Sequence, residues 1–70
     1  MDVSDQIRYV ISQIKKIRAQ KGFSQMTLSL HSNLSQSFIA SIETGKKMPS
    51  LITIIKIANA LNINPKDLFK

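Results

Sequence analysis

The sequence predicts an all-α protein: a compact bundle of five short helices, forming a single domain over residues 1–70. Three observations lead there. Apolar residues recur at spacings of three and four along the first twenty positions and again after Leu51. Four further helix starts carry a capping residue: Ser24, Ser35, Ser50 and Asn64. Gly22 and Asn62 stand where helices should stop, and Asn33 stands where the chain must turn sharply.

The first helix is expected over about residues 4–20. Val3, Ile7, Val10, Ile14 and Ile17 form one apolar stripe with Ile11 beside it. Lys15, Lys16 and Arg18 fall near its end and complement the helix dipole. Val3, Ile7 and Tyr9 are expected to extend the core; a partner-binding surface is the competing reading.

Two short helices follow, at about 25–32 and 36–44. Ser24 caps the one and Ser35 the other. Phe23 with Leu28, and Leu34 with Ile39, have the spacing of hydrophobic staples, which set the angle of chain entry. The turn Ser32-Asn33-Leu34 is so short that one residue should take a positive φ, and Asn33 tolerates that best. Leu28, Leu34, Ile39 and Ile42 face inward, and Ser29 is small where two helices would touch. Gln36, Ser37, Ala40 and Ser41 then face outward, a short, hydrogen-bonding surface suited to a groove.

Lys46-Lys47-Met48-Pro49 reads as a loop, since proline pushes the preceding residue toward an extended shape. Ser50 caps the fourth helix, with Leu51, Ile54, Ile55, Ala58 and Leu61 as its core face and Ile57 adjoining. Asn64 caps the fifth, with Pro65 at its first position. Ile63 and Leu68 form a third staple, and Phe69 closes the chain. These residues contain no internal repeat and leave no room for a sensory domain.

Seventy residues make one marginal core, which dimerisation would help. The net charge is +6, and Glu43 is the only acid between Asp5 and Asp67, which suits a polyanionic partner. There is no cysteine, which excludes disulfides, thiolate metal sites and cysteine catalysis. The start lacks the features of a signal peptide, and no apolar run approaches the ~18 residues of a membrane span. A cytoplasmic location is expected.

The ordered set Arg18, Lys21-Gly22-Phe23-Ser24-Gln25, Leu28-Ser29, Leu34-Ser35, Ile39, Ile42-Glu43-Thr44-Gly45, Pro49-Ser50-Leu51, Ile57-Ala58, Ala60-Leu61 and Leu68 resembles the phage-repressor, or xenobiotic-response-element, helix-turn-helix family. The resemblance runs from about Ile14 to Phe69. The Asn33-Leu34 turn and the small size also resemble the controller proteins of restriction–modification systems. Where the family usually has glycine this chain has Asn33, and Ser29 replaces its alanine. Leu30 and Ile52 are apolar where the family tends to be charged.

The resemblance implies a sequence-specific transcriptional regulator that places helix 36–44 in the major groove of double-stranded DNA, usually as a twofold dimer. The expected base contacts are Gln36, Ser37, Ser41 and Ala40. Glutamine can bond adenine twice, through N6 and N7. The expected phosphate contacts are Gln25, Ser35, Lys46 and Lys47; Gln25 opens a helix whose free N–H groups suit an anion. Phe38 could touch a thymine methyl or serve as a buttress. The resemblance further implies a structural ion pair between Arg18 and Glu43, against the plainer alternative of a solvated surface pair. Ile63, Pro65, Lys66 and Phe69 are the dimer candidates.

Catalysis is not provided for. His31 is the single histidine, read as a solvent-facing side chain, and the acids are too few to form an acid/base pair with it. The two isolated glycines form no phosphate loop. No cofactor, metal, membrane contact or small-molecule ligand is expected. The competing class is an antitoxin or bridging interaction module on the same fold, for which only the first nine residues could supply the added partner-covering segment.

Overall fold

A computed structural model describes residues 2–69. Helix α1 spans Val3–Gln20, α2 Gln25–Ser32, α3 Gln36–Glu43 and α4 Leu51–Ala60. The predicted fifth helix is not an α-helix. Pro65–Leu68 forms a single 3₁₀ turn, closed by bonds from Asp67 N–H to the Asn64 carbonyl and from Phe69 N–H to that of Lys66. Four residues are too few to propagate α-type bonding, and Phe69 returns to an extended backbone.

The caps form as predicted. The hydroxyls of Ser24, Ser35 and Ser50 accept from the N–H groups of Thr27, Phe38 and Thr53 at 3.0–3.1 Å. Asn64 Oδ1 accepts from Lys66 N–H. Asp2 caps α1, which begins one residue earlier than expected. Each such cap contributes about 1 kcal/mol.

All four α-helices end alike. Gly22, Asn33, Gly45 and Asn62 have φ between 58 and 79°. The N–H that follows each reaches back five residues: Phe23 to Arg18, Leu34 to Ser29, Lys46 to Ser41 and Ile63 to Ala58. A residue in the left-handed region reverses the chain within one peptide and satisfies carbonyls that the helix leaves open. Asn33, at φ 59°, is thus the pivot between α2 and α3. Ser29 does more than keep its helix slim: its hydroxyl donates to the Leu34 carbonyl at 2.6 Å and straps the turn from the inside.

The core comprises Val10, Ile14, Leu28, Ile39, Ile42, Ile54, Ile57, Ala58, Leu61 and Leu68, so every helix and the terminal turn contribute. Phe23, Leu34, Phe38 and Ile63 pack at its edge. Two sequence expectations need correction. On α4, Leu51 and Ile55 are exposed, while Thr53 and Ile57 are buried. At ~100° per residue, residues 53, 57, 61, 54 and 58 form one continuous arc, and 51 and 55 lie past its edge. Ile57 is therefore central to the core face. The segment is apolar on most sides, so spacing alone leaves its rotation undetermined. On α1, Val3 is 71% exposed, whereas Ile7 and Tyr9 are half-buried. Val3 borders only a shallow apolar depression that Ile7, Val10, Pro49, Ile54 and Phe69 also line.

Candidate nucleic-acid interface

Helix α3 is amphipathic in a way that determines what it can present. Ile39 and Ile42 are each 1% exposed and lock one side into the core. Gln36 and Ser37, in the first turn, are exposed. Ala40 and Ser41, expected to face outward, are only half-exposed. The chain beyond α3 accounts for this. Thr44 Oγ1 donates to the Ala40 carbonyl at 2.9 Å, and the N–H groups of Lys46 and Lys47 both donate to the Ser41 carbonyl. The open end of α3 is its N-terminal turn.

The phosphate candidates lie at both ends of α3. Ser35 Oγ already accepts from Phe38 N–H and keeps its own proton for donation. Lys46 and Lys47 are exposed, on the loop directly after α3. The Lys47 ammonium lies 5.8 Å from the centroid of the Phe38 ring, a cation–π distance. Phe38 packs against the edge of the core, which favours the buttress role and steers Lys47 to the edge of α3.

A buried carboxylate mounts this surface. Glu43 Oε2 accepts from Arg18 Nε at 2.7 Å, and Oε1 accepts from Arg18 Nη2 at 3.0 Å. The side chains are 14% and 2% exposed, so this is a buried, two-pronged pair and not a solvated one. Arg18 Nη1 also donates to the Phe23 carbonyl at 2.7 Å. Gln25 Nε2 adds a third bond to Glu43, at 3.0 Å. One carboxylate thus ties α1, α2 and α3 together. The amide of Gln25, expected at a phosphate, is anchored on Glu43 through one N–H, with its other N–H and its carbonyl left for outside contacts. Sequence spacing holds no sign of this bond, because residues 25 and 43 meet only through the packing of α2 on α3. His31 is exposed as expected, but its ring also lies 5.4 Å from that of Phe23.

Among the dimer candidates, Ile63 and Pro65 are half-buried, while Lys66 and Phe69 are exposed. Leu51, Ile52 and Ile55 are exposed on α4 as well. Among the described residues no group of His, Cys, Asp and Glu could hold a metal ion, and no helix is long and apolar enough to cross a membrane.

The family profile described as helix-turn-helix matches residues 14–68. This chain belongs to the helix-turn-helix family. Its class is that of DNA-binding transcriptional regulators, which is not an enzymatic one. The helix-turn-helix chain is 37% identical over 68 residues to the control protein C.BamHI of Bacillus amyloliquefaciens, covering 94% of this chain and 84% of that protein. An HTH-type transcriptional regulator of Sinorhizobium fredii is 31% identical over 64 residues, covering 91% and 83%. The crystal structure of the restriction–modification controller protein C.AhdI from Aeromonas hydrophila superimposes with a TM-score of 0.85 at 36% identity, covering 94% of this chain and 98% of that one.

Proposed function

We propose that this helix-turn-helix regulator binds a twofold DNA site as a homodimer, with the first turn of α3 in the major groove. The observation that carries this reading is the contrast along one helix. Gln36 and Ser37 are open, while Ile39, Ile42 and the Glu43 side chain are buried in the bundle. A rigid helix with a short polar leading turn fits the groove and reaches base edges with its N-terminal residues. Gln36 is the adenine-reading side chain, and Ser37 bonds a neighbouring base or phosphate. Ser41 and Ala40 make closer, secondary contacts from the half-shielded part of α3. Ser35, Lys46, Lys47 and the outer edge of the anchored Gln25 amide hold phosphates on either side.

Dimerisation follows from surface economy. Leu51, Ile52, Ile55 and Phe69 are 39–69% exposed on and beside the last two elements, next to Ile63, Pro65 and Lys66. Covering this apolar surface with a second copy would set two recognition helices about 34 Å apart, one turn of duplex. Likeness to two controller proteins along most of their length favours promoter control over a toxin-covering role. Selection of bound sites from random duplex DNA tests the reading. The expected product is a site with two inverted half-sites about 10 base pairs apart, centre to centre. Failure to enrich any sequence, or enrichment of a single unrepeated half-site, would contradict it.

A further inference from the structure

A second basic feature lies beside the recognition helix, on a face of which the preceding reading uses only Lys47. Two shallow depressions run between α1 and the α3–α4 loop, and they share Arg8, Ile11 and Gly45 as lining residues. One is bordered by Lys47 and Ser4, the other by Lys15, Ser12 and Thr44. Together they make one groove whose charged rim is Arg8, Lys15 and Lys47. Two acids come near it. Glu43 lines its floor but is held by Arg18 and Gln25. Asp5 pairs with Arg8 at the exposed end, at 2.6 Å. Lys15 has neither acid as an ion-pair partner. The rim is therefore net positive, with hydroxyls between the cations and a glycine at the point where both depressions meet.

We infer that this groove is a second docking surface for the DNA backbone, in which Lys15 and Arg8 on α1 continue the phosphate path that Lys47 begins. The inference rests on the DNA-binding reading above. Three features make the sugar-phosphate backbone the fitting occupant. The groove is continuous with the loop of Lys46 and Lys47, and therefore with the edge of α3. Apart from the Glu43 carboxylate, whose oxygens Arg18 and Gln25 already occupy, its polar lining consists of donors and hydroxyls, the groups that position phosphates without reading bases. Its remaining floor, Ile7, Ile11 and Met48, offers nothing to pair with a positive ligand. A protein using this groove meets the backbone outside the base pairs that α3 reads, and each subunit protects a longer segment of duplex than its recognition helix spans.

The test is fluorescence anisotropy across a salt series, on a duplex obtained by selection, comparing the parent with Lys15→Ala, Lys15→Arg and Lys16→Ala. Lys16 is also exposed on α1 but does not line the groove. Each phosphate that a subunit no longer neutralises should lower the slope of log K against log salt by about 0.9, so Lys15→Ala should lower it by about 2 in a dimer. Lys15→Arg should retain the parental slope, and Lys16→Ala should change little. Hydroxyl-radical protection should shrink at both outer edges of the site in Lys15→Ala. An unchanged slope and footprint in Lys15→Ala, or an equal fall in slope in Lys16→Ala, would overturn the inference. The outcome separates cleanly from the docking of α3. A groove failure leaves Gln36→Ala with altered base choice, whereas a wrong recognition face leaves base choice unaltered while Lys15→Ala still lowers the slope.

Discussion

Glu43→Ala should lower the unfolding free energy by about 3–5 kcal/mol, measured by urea denaturation. The reason is the set of donors it leaves behind. Arg18 is deprived of both its bonds to the carboxylate, and Gln25 of its single one. The guanidinium is largely buried, so water replaces those partners poorly. A domain of this size has on the order of 4–10 kcal/mol of total stability, so the variant should be close to unfolding at about 37 °C. A change below about 1 kcal/mol would mean that the pair acts like an exposed one. Replacing both partners by apolar residues, as in Arg18→Met with Glu43→Leu, should cost much less than Glu43→Ala alone, because no charge is then stranded.

Ile39→Ala should cost about 2–5 kcal/mol, with the denaturant slope nearly unchanged. Ile39 is 1% exposed and sits on the core side of the helix that carries Gln36 outward. Truncation leaves a cavity on the core side of α3, and it removes one member of the Leu34–Ile39 staple. Weaker DNA binding should therefore follow from the smaller folded fraction, and should be recovered on cooling or on adding a stabilising osmolyte. Thermal unfolding followed by circular dichroism checks this. A melting temperature within experimental error of the parent's would show that α3 is not held by this side chain.

These two residues also show what the sequence makes legible. The caps at Ser24, Ser35 and Ser50, and the turn at Asn33, can be placed because each follows from local chemistry: a side-chain acceptor, or tolerance of positive φ. The inward set Leu28, Ile39 and Ile42 is equally readable, since polar neighbours leave those short helices only one apolar side. Helix α4 is harder. With Leu51, Ile52, Ile54, Ile55 and Ile57 close together, several faces satisfy the same spacing, and only tertiary packing selects the one centred on Ile57. The last helix is shortened to a 3₁₀ turn for a reason that capping rules do not contain, namely its length. At the interface, the outward placement of Gln36 and Ser37 comes from periodicity, and the Arg18–Glu43 pair comes from family resemblance. The Gln25–Glu43 bond and the groove along α1 come from neither. Both arise where residues far apart in sequence are brought side by side, which no local pattern records.

If the first turn of α3 reads bases while the surrounding cations hold the backbone, Gln36→Ala and Lys46→Ala should differ in kind when their affinities are measured for the selected duplex and for a panel of its single-base variants. Gln36→Ala should reduce discrimination by about 1–3 kcal/mol at one position of each half-site, with stability unchanged. Lys46→Ala should weaken every duplex alike and lower the salt slope. If Gln36→Ala kept the parental ranking of all variants, α3 would not be the element that reads the DNA.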